Sequence, residues 1–156
     1  MPRFLIVAYG NPLRSDDGVA WRAAEALAAK YSEPDVEIVT VHQLGPEIAD
    51  SISRAECVIF IDAATRAAAA GEVQIKEMTA SAFSEPPGFC HALSPSHVLT
   101  LAAHLYRAQP RAFSVTVAGE NFDHGESLSA PVRAALPELI ARIDDLLAEA
   151  GLDDRR

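Results

Sequence analysis

The stretch FLIVAYGNPLRSDDGVA, residues 4–20, limits what this chain can fold into more than any other. Phe4-Leu5-Ile6-Val7 is a short apolar run of β-prone residues, the pattern of a strand buried on both faces. Gly10-Asn11-Pro12 ends it, because glycine permits a sharp turn and proline cannot donate to a ladder. Ser15-Asp16-Asp17-Gly18 then opens a helical run over residues 19–30. Two adjacent carboxylates therefore stand where the first strand hands over to the first helix, the edge at which open α/β sheets bind ligands. One carboxylate can be explained as a helix cap or a partner of the helix dipole. The other is left either for chemistry or for a second structural use.

The rest of the chain alternates strands and helices. Val36-Glu37-Ile38-Val39-Thr40-Val41 reads as a β-branched strand with His42 at its end, followed by a short helix over 47–53. Cys57-Val58-Ile59-Phe60-Ile61 is a central parallel strand running into Asp62-Ala63-Ala64. Residues 65–71 form a connection or a single helical turn. Residues 72–78 alternate polar and apolar, which predicts an edge strand with one wet face. Residues 79–90, with Pro86-Pro87-Gly88, read as a loop of the length that carries either function or disorder. A helix over 96–107 buries Val98, Leu101, Ala102 and Leu105, and His97, His104, Thr100 and Arg107 fall on its solvated side. A strand over 112–118, a polar loop and an amphipathic helix over 130–150 complete the fold. That helix presents Val132, Leu136, Leu139, Ile140, Ile143, Leu146 and Leu147. The expectation is one three-layer α/β/α domain over residues 1–150 and a polar tail over 151–156. Its sheet is mostly parallel, with about five strands and one antiparallel edge.

A chain of 156 residues with net charge −9 has no basic stripe for nucleic acid and no attraction to an anionic membrane surface. No apolar run approaches membrane-spanning length, and no basic-flanked leader is seen, so the expected location is the cytoplasm. Cys57 and Cys90 are too few for a disulfide framework and lack metal spacing; Cys57 reads as a core residue.

The polar residues just past the strand ends share one rim: Asn11, Asp16, Asp17, His42 and Asp62, joined by His91 ahead of a helix. Carboxylates and imidazole on one edge suit a borderline divalent metal such as zinc or nickel. Each residue also has a plain structural use. Asp62 can cap its own turn, His91 can be a surface histidine and His42 a satisfied strand end. His124 sits in a polar loop. The glycine turn is not G-x-G-x-x-G, and neither G-x-S-x-G nor H-E-x-x-H occurs.

Gly10-Asn11-x-x-x-x-Asp16-Asp17-Gly18 resembles the signature of the hydrogenase maturation proteases, endopeptidases that trim the C-terminal tail of the [NiFe] hydrogenase large-subunit precursor. The likeness continues through Val58-Ile59-Phe60-Ile61-Asp62-Ala63, His91-Ala92-Leu93, the Gly119-Glu120 loop and the Leu128-Ser129-x-x-Val132 helix start. Ala20 and Ala8 depart from it where the family commonly has glycine. The resemblance implies a metal-binding, catalytic set of Asp17, Asp62 and His91, with Asp16 as helix cap or supporting partner. His97 is a rival for the histidine, since Ser94-Pro95-Ser96-His97 echoes a Ser-Pro-His form, but that alignment needs an inserted residue. The resemblance further implies an aspartyl-type endopeptidase with no permanent metal; a monomer is expected because the apolar face of the last helix lets the chain fold without a partner. The endopeptidase would recognise nickel already placed in the precursor, and zinc or cadmium could substitute in a crystal. The loops over 79–90 and 119–128 are expected to wall a groove for the precursor. A metal-binding assembly protein that does not cut, or a different peptidase on the same architecture such as a spore-germination-type protease, are the alternatives.

Overall fold

A computed structural model describes residues 4–65, 69–80 and 93–151. Five strands form a single sheet in the order β2-β1-β3-β5-β4. They are β1 (Phe4–Tyr9), β2 (Val36–Val41), β3 (Cys57–Ala64), β4 (Val73–Met78) and β5 (Arg111–Ala118). β1 pairs in parallel with β2 and β3, and β3 in parallel with β5. β4 closes one edge antiparallel to β5. The architecture is the expected α/β sheet with its antiparallel edge.

The apolar runs of β1 and β3 are buried on both faces because helices cover both. Phe4, Ile6, Ala8, Ile59 and Ile61 pack with α1 (Val19–Ala28) and α4 (Ala130–Glu149). The alternate residues Leu5, Val7, Val58 and Phe60 pack with α2 (Ile48–Ser53) and α3 (Pro95–Tyr106). Leu139, Ile143 and Leu147 of α4 are fully buried, each contributing roughly 1.5–3 kcal/mol. Tyr31 donates its hydroxyl to Asp144 at 2.5 Å, clamping the chain just past α1 against α4. Cys57 is buried in the core as expected.

Two helix expectations need correction. α1 stops at Ala28, two residues early. The buried stripe of α3 is Val98, Leu99 and Ala102; Leu105 is 64% exposed. The outer turn of α3 leaves Leu105 and Tyr106 exposed, so three-four spacing overstated its buried arc. The fold places the ligand-binding edge without ambiguity. From β1 the chain passes to β2 on one side and then returns to β3 on the other, so β1 and β3 flank the switch point of the sheet. Asp17 follows the first, and Asp62 lies two residues before the end of the second.

Candidate active site at the carboxyl edge of the sheet

The loop after β1 is held shut by its glycines and its asparagine. Gly10 has φ of +143°, and a Cβ there would stand 2.1 Å from the carbonyl oxygen of Asp17. A Cβ on Gly18 would stand 2.8 Å from the Cα of Pro12. Both glycines are needed because the loop folds back on itself. Asn11 uses both ends of its residue: its Oδ1 accepts from the Leu13 amide at 2.9 Å, and its own amide donates to Asp17 Oδ2 at 2.7 Å. Asp17 is thus aimed from the turn rather than from the helix, and it remains partly exposed.

Asp16 points the other way and is fully buried. Its Oδ2 accepts from the amides of Glu120 at 2.8 Å and Asn121 at 2.9 Å and from the Ser129 hydroxyl at 2.8 Å. Its Oδ1 accepts from the Ser129 amide at 2.7 Å. Burial alone would raise its pKa, but these bonds outweigh it and hold the carboxyl below the ordinary range. Of the two uses expected of Asp16, helix cap or supporting partner, the cap of α1 is not seen, since α1 is preceded by Gly18 and has no side-chain cap; Asp16 instead supports the junction with the loop after β5. Ser15 reinforces the same junction, with φ of +53°, its amide to Gly125 O and its hydroxyl to Asp123 O, both at 2.8 Å. The loop between β5 and α4 is therefore strapped to the segment that carries Asp17.

Asp62 Oδ1 accepts from the Ala63 amide at 2.7 Å, and the Tyr9 hydroxyl donates to the same carboxyl. Burial pushes Asp62 up to about 7, helped by the nearby charge of Asp17 and opposed by the Ala63 and Tyr9 hydrogen bonds. The Tyr9 hydroxyl is driven above its ordinary value, first by burial and then by the Asp62 carboxylate. Tyr9 is the site neighbour that sequence reading missed. The available signal was its place two residues after Val7, on the α2/α3 face, where a phenol must find a partner.

Of the histidines, His91 lies outside the described residues. His97 sits not on a free solvated face but in a capping box: Ser94 caps α3, and the Ser94 amide donates to His97 Nδ1 at 3.0 Å. His42 is exposed, its ring edge-on to Trp21 with centroids 5.3 Å apart. Among the described residues no group of three His, Cys, Asp or Glu side chains is placed to hold a metal. What the described residues bring together is a pair of carboxylates, each fixed through one oxygen by a backbone amide, across the switch point. Such a pair suits a cation that arrives with further ligands of its own. Most of the loop expected over 79–90 falls outside the described residues, whereas the one expected over 119–128 is present and strapped to Asp16.

No protein-family model matches the chain. It is 30% identical over 160 residues to the hydrogenase expression/formation protein HoxM of Azotobacter vinelandii, covering 97% of this chain and 75% of that protein. It is 31% identical over 161 residues to the hydrogenase expression/formation protein HupM of Azotobacter chroococcum mcd 1, covering 97% and 74%. The fold matches the hydrogenase maturating endopeptidase HybD from E. coli with a TM-score of 0.74 at 25% identity, covering 96% and 94%. It matches the [NiFe] hydrogenase maturation protease HycI from Thermococcus kodakarensis KOD1 with a TM-score of 0.74 at 20% identity, covering 94% and 92%, a likeness of fold.

Proposed function

The chain belongs to the family of hydrogenase maturation endopeptidases, and on that premise we propose that it removes the C-terminal peptide of a [NiFe] hydrogenase large-subunit precursor after nickel insertion, with Asp17, Asp62 and His91 meeting the nickel. The observation that carries this reading is the pair Asp17 and Asp62 on either side of the switch point, each anchored at 2.7 Å by a backbone amide. The metal is part of the substrate. Asp17 and Asp62 supply oxygen ligands to a cation whose other ligands belong to the precursor, and His91 supplies a nitrogen. Engagement of the cation draws the adjoining peptide bond to the rim, so cutting depends on prior metal insertion. Zinc or cadmium would occupy the same oxygen and nitrogen donors. The place of action is the cytoplasm, and the protein works as a monomer. No helix among the described residues is long and apolar enough to cross a membrane.

The test is the mass of a nickel-loaded precursor before and after incubation, beside a nickel-free control. Loss of a C-terminal peptide from the loaded form alone, abolished in Asp17→Asn, Asp62→Asn and His91→Ala, is the expected result. Cutting regardless of nickel would remove the sensing role and keep the protease. A tight complex without shortening would replace the protease with an assembly protein.

A further inference from the structure

The strand register places a line of polar side chains beside Asp62. Asp62 of β3 pairs with Thr116 of β5, and Thr116 with Gln74 of β4. Two residues back, Phe60 pairs with Ser114, and Ser114 with Lys76. Side chains in one cross-strand line share one face of the sheet. Phe60 fixes that face as the one α2 and α3 cover. Their cover reaches Ala112 and stops, leaving Ser114 and Thr116 partly exposed and Gln74 and Lys76 exposed. An open depression of about 530 Å³ lies there, lined by Gln74, Ile75, Lys76, Ser114 and Thr116.

None of the four polar side chains spends a hydrogen bond or ion pair on another described residue. Lys30, Arg54, Arg111 and Arg142 each pair with a carboxylate, so Lys76 differs from them in a chain of net charge −9. Strands spaced about 4.8 Å apart and rising about 3.3 Å per residue put the Lys76 Cα roughly 12 Å from that of Asp62. That is about four residues of extended chain.

We propose that this furrow receives the first residues beyond the scissile bond, the start of the peptide that is cut away, and that Lys76 selects an acidic side chain among them. The inference rests on the proteolytic reading above. Three features commit it to this occupant. Its Thr116 is the cross-strand neighbour of Asp62, the furrow is too small for a folded body, and among the described residues that line it Lys76 alone is charged. β4 and β5 already pair with each other, so recognition falls to side chains: Thr116, Ser114 and Gln74 toward the peptide's amides, and Lys76 toward its acid.

The test uses the full protein and two nickel-loaded precursors that differ only in Glu or Gln at the fourth position past the cut. The wild type should cut the Glu precursor with a KM on the order of five-fold lower than the Gln precursor, at similar kcat. Lys76→Glu should reverse that preference, and Arg142→Glu, an equal change in net charge on α4, should leave it intact. Thermal unfolding of Lys76→Glu checks that the sheet edge is preserved, and reversal rather than loss of preference is itself a result misfolding cannot give. An identical Glu-to-Gln ratio in wild type and Lys76→Glu overturns the inference and leaves the protease standing. Absence of any cutting by the wild type overturns the proteolytic reading and this inference with it.

Discussion

Asp16 and Ser129, 113 positions apart, meet twice: the Ser129 amide donates to Oδ1 at 2.7 Å and its hydroxyl to Oδ2 at 2.8 Å. Ser129 precedes α4 and makes no cap of its own, so the carboxylate of Asp16 stands at that helix's N-terminus, where the dipole favours negative charge. The same carboxylate takes two amides of the loop after β5. One buried side chain thus joins the first turn of the chain to its last helix, and its neighbour Asp17 inherits a fixed platform.

Asp16→Asn should therefore destabilise the protein by about 2–4 kcal/mol, because an amide cannot accept four hydrogen bonds and would present donors to donors. Urea unfolding at neutral pH measures it. The sign with pH is fixed by the direction of the shift. A carboxyl held below its ordinary value of 3.8 stabilises fully above that value and loses its contribution as pH falls through the depressed one. The gap between wild type and Asp16→Asn should accordingly shrink in strong acid. A constant gap would mean that the charge of Asp16 is not what holds the loop.

The division of labour between Asp16 and Asp17 came only with the family resemblance, which made Asp17 the ligand and Asp16 a helix cap or supporting partner; the two residues by themselves do not give it. Adjacent acids before a helix look alike, and only tertiary contacts from residues 120–129 send one inward. The strands were legible because continuous apolar runs at Phe4 and Cys57 require cover on both faces, and the polar alternation of β4 marks an edge. Leu105 misled because periodicity reports which side of a helix faces the sheet and not how far the cover extends. Tyr9 was hidden by reading its strand as purely apolar, although its hydroxyl ends beside Asp62.

Asp62→Asn should abolish cutting and yet stabilise the fold. With its carboxyl raised from 3.8 to about 7, the native state binds the proton more tightly than the unfolded chain over that interval. Stability contributed by this group therefore falls as pH rises from about 4 to 7, and above 7 the full cost of a half-buried charge is present. Discounting for solvent screening, Asp62→Asn should gain about 1–2 kcal/mol at pH 8 and nothing near pH 4. Paired urea titrations at the two pH values decide it. Equal stability of both proteins at pH 8 would show that burial of the charge costs nothing.

Gly10→Ala tests the turn that aims Asp17. The added methyl would meet the Asp17 carbonyl at 2.1 Å in a backbone conformation that L residues rarely adopt. The loop must open, at a cost well above the ~1 kcal/mol of an ordinary strained glycine replacement. Cutting should fall by at least about ten-fold, since an ångström of misplacement is enough to do so. Retention of full activity would mean that Asp17 need not be held by this turn.

His97→Ala separates the two histidines proposed for the third donor. His97 Nδ1 accepts the Ser94 amide at 3.0 Å, and Ser94 Oγ accepts the His97 amide at 3.3 Å, so the ring's described role is to close the first turn of α3. Losing it should cost about 0.5–1 kcal/mol of stability and leave nickel-dependent cutting nearly unchanged. His91→Ala should abolish cutting. Ser94→Ala, which removes the reciprocal bond, should match His97→Ala in stability and in activity. If His97→Ala stops cutting while Ser94→Ala does not, the imidazole of His97 acts on the substrate itself, and the donor set becomes Asp17, Asp62 and His97.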